Sequence, residues 1–194
     1  MIDLVIITGA SGSGKSYLLS NFQYFGATFA VVKKKTTREP RTHENPNTNF
    51  EFTFDCPKEE VLNCEYHYEF RNELYGFNCS DIDALRMRDQ TPMIIIRQTN
   101  EIKIMKEKYR NVIVVLCKCN WEDEKLIEHF QEKGISKQEC QKRLFSHDEK
   151  KIKAEYAKNL KLFDLVLENN FDHTFLIQAK FFFDKKNGGS HAQF

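Results

Sequence analysis

The chain has 194 residues, of which 41% are hydrophobic and 29% are charged. This composition fits one globular domain with a sizeable buried core. Lys and Arg together number 29 against 28 Asp and Glu, and the formal net charge of +1 excludes a whole-molecule field that would recruit nucleic acid or an anionic membrane. We therefore expect neither kind of partner.

The apolar runs and the cysteines bear on the cellular compartment. Runs such as 112–117 are far shorter than the ~18 residues that span a bilayer. Residues 1–7 lack the basic region, long apolar stretch and small-residue cleavage site of a signal peptide, and we interpret them as a strand. The six cysteines are scattered, without paired C-x-x-C clusters, so we expect reduced thiols and no zinc site. These features favour a cytoplasmic location.

Strands and helices are predicted to alternate along much of the chain. The strands are predicted at 2–8, 28–32, 93–96, 112–117 and 165–167. The helices are predicted at 16–22, 101–109 and 172–183. Because several of these strands are apolar on both faces, the pattern predicts an α/β fold in which helices cover both sides of a parallel sheet.

Two regions interrupt this alternation. Residues 33–90 are rich in Thr, Asn, Pro and aromatic residues, and the alternation at 49–54 predicts a small half-exposed sheet inserted over one end of the core. Residues 121–156 are charged and helix-prone, with a break predicted at 134–136, and we interpret them as a mobile arm. Residues 185–194 contain Gly-Gly-Ser and are predicted to form a flexible tail.

The strongest local signal is a complete phosphate-binding loop between the first predicted strand and the first predicted helix. Its eight residues are Gly9, Ala10, Ser11, Gly12, Ser13, Gly14, Lys15 and Ser16. They match the pattern G-x-x-x-x-G-K-[ST], in which backbone N–H groups surround the phosphates, the Lys reaches the β- and γ-phosphates and the Ser ligates Mg²⁺. A turn that merely links strand to helix requires no Lys-Ser pair. The motif predicts a bound triphosphate but does not separate ATPases, GTPases and kinases.

A second cluster, Thr-Thr-Arg-Glu-Pro-Arg at 36–41, follows shortly after the second predicted strand. Arg38 and Arg41 are three residues apart, with Pro40 stiffening the backbone between them. Guanidinium groups bond phosphate oxygens bidentately, so the pair suits a dianionic phosphate. The alternative is a solvated basic loop that extends the lysines at 33–35.

Together these motifs resemble the guanylate kinase family over residues 4–170. After the two motifs come Glu44, an aromatic-rich segment, Glu69 and Tyr75-Gly76, and later Lys-Arg-Leu at 142–144 and the stretch 163–169. The resemblance implies a P-loop kinase with a three-layer αβα core, a small mixed β insertion that binds the acceptor, and a helical lid. It implies one domain over 1–184, with its core at 1–32, 91–118 and 157–184, the acceptor region at 33–90 and the lid at 119–156.

The resemblance also implies roles for individual residues. Arg38, Arg41 and Tyr75 would bind the acceptor monophosphate, and Glu69 would accept hydrogen bonds from guanine. Lys133 and Arg143 would close from the lid onto the transferring phosphoryl group. Lys15 would act on the donor, ATP, with Mg²⁺ bound by Ser16.

Several positions depart from the family pattern. Phe50 stands where these kinases usually have a phosphate-binding tyrosine, and Phe77 where they have a Ser or Thr that contacts guanine. In the lid, His129 and Lys133 replace arginines. Arg97 follows the strand at 93–96, where the family has an aspartate pair that reads guanine and organises Mg²⁺. Since a cation inverts the local charge, selectivity for guanine is in question, whereas phosphate binding is not.

The sequence therefore predicts an ATP-dependent nucleoside monophosphate kinase that acts on GMP, dGMP or a related monophosphate. One alternative is a small-molecule kinase similar to the ribose 1,5-bisphosphate phosphokinases, which also lack those aspartates. The intact Arg38 and Arg41 pair with Glu69 fits a nucleotide better. Another alternative is a binding module that has lost catalysis, against which the complete Lys15-Ser16 pair argues. The oligomeric state is not predicted.

Overall fold

The fold is described from a computed structural model over residues 2–22, 28–41 and 44–186. Nine strands are assigned within these ranges: β1 (Leu4–Gly9), β2 (Phe29–Val31), β3 (Lys34–Thr36), β4 (Phe52–Thr53), β5 (Tyr66–Phe70), β6 (Glu73–Phe77), β7 (Thr91–Ile95), β8 (Val112–Cys119) and β9 (Leu165–Asn169). The α-helices in the same ranges are α1 (Lys15–Asn21), α2 (Lys58–Leu62), α3 (Cys79–Arg86), α4 (Thr99–Lys108), α5 (Asp123–Glu132), α6 (Lys137–Phe145), α7 (His147–Lys158) and α8 (Thr174–Lys186).

Five strands form one parallel sheet in the order β2-β7-β1-β8-β9. The central strand β1 pairs with β7 and β8, with Ile6 opposite Ile94 and Val114. Every residue of β1 is buried, because helices cover both faces of the sheet. This arrangement confirms the predicted α/β fold.

The two faces of this sheet carry separate apolar clusters. Leu18 of α1 and Phe175 and Phe183 of α8 pack on one face. Ile82 of α3 and Ile102 of α4 pack on the other face. The core therefore has three layers, and the carboxyl ends of its strands meet at one edge, where ligands bind in open parallel sheets.

A second, mixed sheet has the order β4-β3-β6-β5. The alternation at 49–54 predicts a longer strand than the two residues of β4. The Asn49 side chain explains the difference, because its Oδ1 accepts hydrogen bonds from the backbone N of Glu51 at 2.9 Å and of Phe52 at 2.8 Å. An amide side chain that bonds the following backbone in this way favours a turn over a strand.

Helices α5, α6 and α7 form the arm that the sequence predicts, and the expected break lies between Glu132 and Lys137. Gly134 has a positive φ of 76° within this break. At the other end of the chain, α8 continues through Lys186, so the predicted tail does not begin at 185. Residues 187–194 lie outside the described residues.

Candidate functional site

The phosphate-binding loop joins β1 to α1 at the carboxyl edge of the core sheet. Gly12 has a φ of 78°, and a Cβ there would lie 2.9 Å from Phe130 and 3.0 Å from Leu126 of α5. The arm therefore packs directly on the loop, and a glycine is required at this position both for the backbone and for the close approach.

Lys15 is buried, and its Nζ donates a hydrogen bond to the carbonyl O of Ala10 at 2.6 Å. Burial, reinforced by the charge of Arg97, lowers the pKa of Lys15 to about 7. An anionic group bound beside Lys15 would restore its charge, so the loop is suited to phosphate.

One cleft of about 1400 Å³ opens beside this loop. Of the loop itself, Ser11, Gly12, Gly14, Lys15 and Ser16 line the cleft, whereas Gly9, Ala10 and Ser13 do not. The other predicted residues that line it are Arg38, Arg41, Tyr75, Arg97, Lys133 and Arg143. The structure thus brings together residues that are far apart in the sequence.

Arg38 and Arg41 line the same cleft as the loop, and both pair with Glu44. Arg38 Nη1 and Nη2 donate to the two carboxylate oxygens of Glu44 at 2.8 and 3.1 Å. Arg41 donates to Glu44 from its backbone N at 2.8 Å and from Nη1 at 3.5 Å. Burial and the charge of Arg38 lower the pKa of Arg41 to about 10, which leaves it charged at neutral pH. One carboxylate therefore holds two cations side by side.

Aromatic side chains form the wall between these arginines and the core sheet. Tyr68 and Tyr75 stack with ring centroids 5.3 Å apart, and Phe52 lies next to Tyr75. Lys34 Nζ lies 4.8 Å from the Phe52 ring centroid and donates to the carbonyl O of Ile95 at 2.7 Å. Burial lowers the pKa of Lys34 to about 8. This part of the cleft offers flat rings and a buried cation.

Three predicted acceptor residues are not among those that line the cleft. Glu69 is exposed on β5, whereas its neighbours Tyr68 and Phe70 line the cleft, because successive side chains of a strand point to opposite faces. Phe77 is buried in the core next to Ile82. Phe50 is 38% exposed before β4. None of these three side chains contributes to the lining of the cleft.

Arg97 follows β7 and reaches the mouth of the phosphate-binding loop, where its Nη1 lies 3.4 Å from Oε2 of Glu149. Sequence reasoning missed both Glu149 and Arg71, which meet at the same point. Arg71 Nη2 donates to Glu149 Oε2 at 2.8 Å and to Ser11 Oγ at 2.9 Å. The sequence signal at Arg71 is a turn, because Arg71 and Asn72 connect β5 to β6. A turn does not reveal that Glu149 and Ser11 lie opposite it.

Glu51 is a further residue that sequence reasoning missed. Ser16 Oγ donates to Glu51 Oε2 at 2.9 Å, and Lys34 Nζ lies 4.0 Å from Glu51 Oε1. Among the described residues, no cluster of three or more His, Cys, Asp or Glu side chains has the spacing of a metal site. A hydroxyl beside one carboxylate is nevertheless a donor set that suits Mg²⁺, because that ion takes one or two protein ligands and completes its shell with phosphates and water.

The arm contributes two of the predicted cations. Arg143 is buried in α6, and its Nε donates to Glu139 Oε1 at 2.9 Å. Lys133 follows α5 and is exposed at the rim of the cleft. His129 packs against the ring of Phe171, and burial together with the charge of Lys133 lowers its pKa below the ordinary value. His129 is therefore neutral at neutral pH and does not supply the charge of an arginine.

A sequence model of the guanylate kinase family matches residues 1–184. The chain belongs to the guanylate kinase family. A search of curated proteins gives no significant match. The predicted family resemblance is thus confirmed over most of the chain.

Two solved structures show how the family fold is shared. A guanylate kinase from Anaplasma phagocytophilum is 13% identical, with a TM-score of 0.58, over 99% of this chain and 88% of that one. An unliganded sugar kinase from a Janibacter species is 10% identical, with a TM-score of 0.52, over 98% of this chain and 99% of that one. Both comparisons establish the P-loop kinase fold. Among the described residues, no helix has both the length and the apolar character needed to cross a bilayer.

Proposed function

We propose that this protein transfers the γ-phosphoryl group of ATP to the phosphate of a small acceptor, in the manner of a nucleoside monophosphate kinase. The acceptor is GMP, dGMP or a related monophosphate, and the product is the diphosphate. The observation that carries the proposal is that the buried Lys15 of the phosphate loop and the Arg38 and Arg41 pair line one cleft. Membership of the guanylate kinase family supports a phosphotransferase.

In the proposed reaction, each region of the chain has a separate role. The core at 1–32, 91–118 and 157–184 holds the donor, the region 33–90 holds the acceptor, and the arm at 119–156 closes over both. Closure by the arm would exclude water, which otherwise hydrolyses ATP. The packing of Leu126 and Phe130 on Gly12 supports a direct coupling between arm and donor site.

No side-chain nucleophile is needed for this reaction. An ionised oxygen of the acceptor phosphate, held by Arg38 and Arg41, attacks the γ-phosphorus in line. The bond between that phosphorus and the β,γ-bridging oxygen breaks, and ADP leaves with the electron pair. Lys15, Arg97 and Arg143 stabilise the charge that spreads over the phosphoryl oxygens, and Lys133 joins them when the arm closes. Tyr75 forms part of the wall against which the acceptor lies.

Mg²⁺ belongs to the same proposal. Ser16 and Glu51 are the residues that would hold it, the hydroxyl as a ligand and the carboxylate as a ligand or as the acceptor of hydrogen bonds from its water shell. When bound, the ion neutralises charge on the β- and γ-phosphates. Glu51 would then replace the acidic residues that the family has near Arg97.

A specific observation favours a second acceptor, a phosphorylated sugar. Glu69, the residue predicted to read guanine, is exposed and absent from the cleft lining, while Lys34 and Arg97 add positive charge to that lining. Such a site binds additional anionic groups more readily than a neutral base. The aromatic wall of Tyr68 and Tyr75 suits a base, so the nucleotide remains the first candidate.

The test is ADP formation from ATP and Mg²⁺ with each acceptor in turn: GMP, dGMP, AMP, CMP, UMP, dTMP and ribose 1,5-bisphosphate. Preference for one nucleoside monophosphate supports the first candidate, and preference for the sugar phosphate supports the second. Lys15→Ala is the control and is expected to abolish turnover. Nucleotide binding without turnover on any acceptor would refute the enzyme assignment and leave a binding module.

A further inference from the structure

The carboxylate of Glu149 lies fully buried at the mouth of the phosphate-binding loop. It accepts hydrogen bonds from the backbone N and, at 3.0 Å, from Oγ of Ser11. Arg71 Nη2 donates to it at 2.8 Å and Arg97 Nη1 at 3.4 Å. A backbone amide, a hydroxyl and two guanidinium groups thus converge on one anion.

These donors are the kind that a transferring phosphoryl group requires. A phosphate-binding loop presents N–H groups to the terminal phosphates, and arginines stabilise the charge of the transition state. Burial alone would raise the pKa of Glu149, but Arg97, the Ser11 amide, Lys15 and Arg71 hold it below its ordinary value. The carboxylate is therefore ionised, and the protein has placed its own anion where the loop faces the cleft.

Arg71 is held in position by a tight turn. Arg71 and Asn72 form the two-residue connection between β5 and β6, and both have positive φ, 57° and 62°. The backbone N of Arg71 donates to Asp148 Oδ2 at 2.8 Å, and its guanidinium lies 4.9 Å from the Phe70 ring centroid. The acceptor region is thereby tied to α7 directly beside the donor loop.

The guanidinium of Arg71 is not fully used by these contacts. Its Nε is buried and has no hydrogen-bond partner among the described residues, and a buried donor left without a partner is costly. Arg97 stacks on the same ring of Phe70, with its Cζ 4.6 Å from the centroid. Two guanidiniums thus contact one ring and donate to the same carboxylate oxygen.

We propose that Arg71 is a catalytic residue that contacts the transferring phosphoryl group, and that Glu149 occupies this group's position until a nucleoside triphosphate displaces it. This inference rests on the proposed function, because it takes the loop to bind ATP. Glu149 leaves by rotation of its side chain. Arg71, Arg97 and Ser11 then exchange a carboxylate for phosphoryl oxygens and remain paired throughout.

A purely structural role for the ion pair between Glu149 and Arg71 would give a different result for nucleotide binding. If Glu149 only ties α7 to the loop, its neutralisation weakens the fold and the binding of every nucleotide alike. If Glu149 competes with the γ-phosphoryl group, the uncharged isostere Glu149→Gln binds a triphosphate more tightly while the affinity for ADP stays unchanged. The sign of the effect therefore separates the two roles.

The experiment measures the Kd of ADP and of the non-hydrolysable β,γ-imido analogue of ATP by calorimetry, with Mg²⁺ present. For Glu149→Gln we expect the analogue to bind about tenfold more tightly, which is a gain of roughly 1.4 kcal/mol in binding free energy. For Arg71→Ala we expect the analogue to bind about tenfold more weakly and kcat to fall by roughly 10²-fold or more. Arg71→Lys should recover part of both losses. The matched controls are Glu107→Gln and Arg88→Ala, two exposed residues outside the cleft.

Each outcome decides the proposal. Equal shifts for ADP and the analogue, or weaker binding of the analogue to Glu149→Gln, would overturn it while leaving the donor site intact. If wild type binds neither nucleotide, the proposed function fails as well, and the two failures are thus distinguished. Thermal unfolding of each variant identifies a folding defect. If Arg71→Ala is defective, the kcat and the analogue affinity of Arg71→Lys are compared with those of wild type instead.

Discussion

Neutralising Glu44 tests the acceptor site most informatively. Glu44 contacts Arg38 through both carboxylate oxygens and Arg41 through its backbone and side chain. The exposed fractions of the Arg38 and Glu44 side chains are only 11% and 13%, so solvent screens the pair weakly. Hydrogen bonds to charged groups contribute about 1.5–3 kcal/mol in such settings. Glu44→Gln keeps one carbonyl oxygen and the size of the side chain but removes the charge.

We expect Glu44→Gln to raise the acceptor KM by roughly tenfold. This corresponds to a loss of about 1.4 kcal/mol in the free energy of acceptor binding. The reason is that Glu44 is part of the same loop as its partners and is fixed by the Arg41 backbone N at 2.8 Å. It cannot move aside for a ligand as Glu149 does, so its role is to hold the two guanidiniums in register. The KM for ATP should stay within about twofold of wild type.

The assay is steady-state ADP formation with the acceptor that gives the highest turnover, at saturating ATP and Mg²⁺. Glu59→Gln on the exposed face of α2 is the control for a loss of one negative charge in the same region. A lower acceptor KM in Glu44→Gln would show that the carboxylate competes with the acceptor phosphate, and would refute the positioning role. An unchanged KM would show that the charge of Glu44 does not position Arg38 and Arg41 for the acceptor.

Three further predictions address the donor side. Because burial lowers the pKa of Lys15 to about 7 and a bound polyphosphate raises it, nucleotide binding should take up more protons near pH 8 than near pH 6. Calorimetry in buffers of different ionisation enthalpy measures this proton uptake. Proton uptake that does not change with pH would contradict the prediction. Gly12→Ala should lose about 1–3 kcal/mol of stability in thermal unfolding, more than Gly134→Ala, whose added Cβ meets nothing within 4 Å; equal losses would show that the arm does not press on Gly12. Glu51→Gln should raise the Mg²⁺ concentration needed for half-maximal nucleotide binding several-fold, whereas an unchanged Mg²⁺ titration would remove Glu51 from the metal site.

The phosphate-binding loop and the pair of Arg38 and Arg41 could be recognised in the sequence because each is a local pattern. Eight consecutive residues specify the loop, and Arg38 and Arg41 are three residues apart, so neither depends on how distant segments pack. The parallel sheet could be predicted for a similar reason. Strands buried on both faces have long apolar runs, and β1 is buried throughout while β8 is buried over its first six residues.

The residues that complete the site depend on packing between distant segments. Ser11 and Glu149 are separated by 138 residues, and Ser11 and Arg71 by 60, so no local pattern marks them as partners. The position of Glu69 depends on the register of β5. Since a shift by one residue moves every side chain to the other face of a strand, the resemblance identified the strand but did not establish which of its residues face the cleft.

The most direct test of the proposed function identifies the product that receives the γ-phosphoryl group of ATP. Wild type, Lys15→Ala and Arg38→Ala are incubated with ATP, Mg²⁺ and the preferred acceptor, and phosphorus NMR records the fate of the γ-phosphoryl group. The proposed function predicts that wild type yields ADP and an acceptor diphosphate in equal amounts, that Lys15→Ala yields neither, and that Arg38→Ala yields both slowly. ADP with inorganic phosphate in place of an acceptor diphosphate, or ATP that persists unchanged with wild type, would contradict phosphoryl transfer in this cleft.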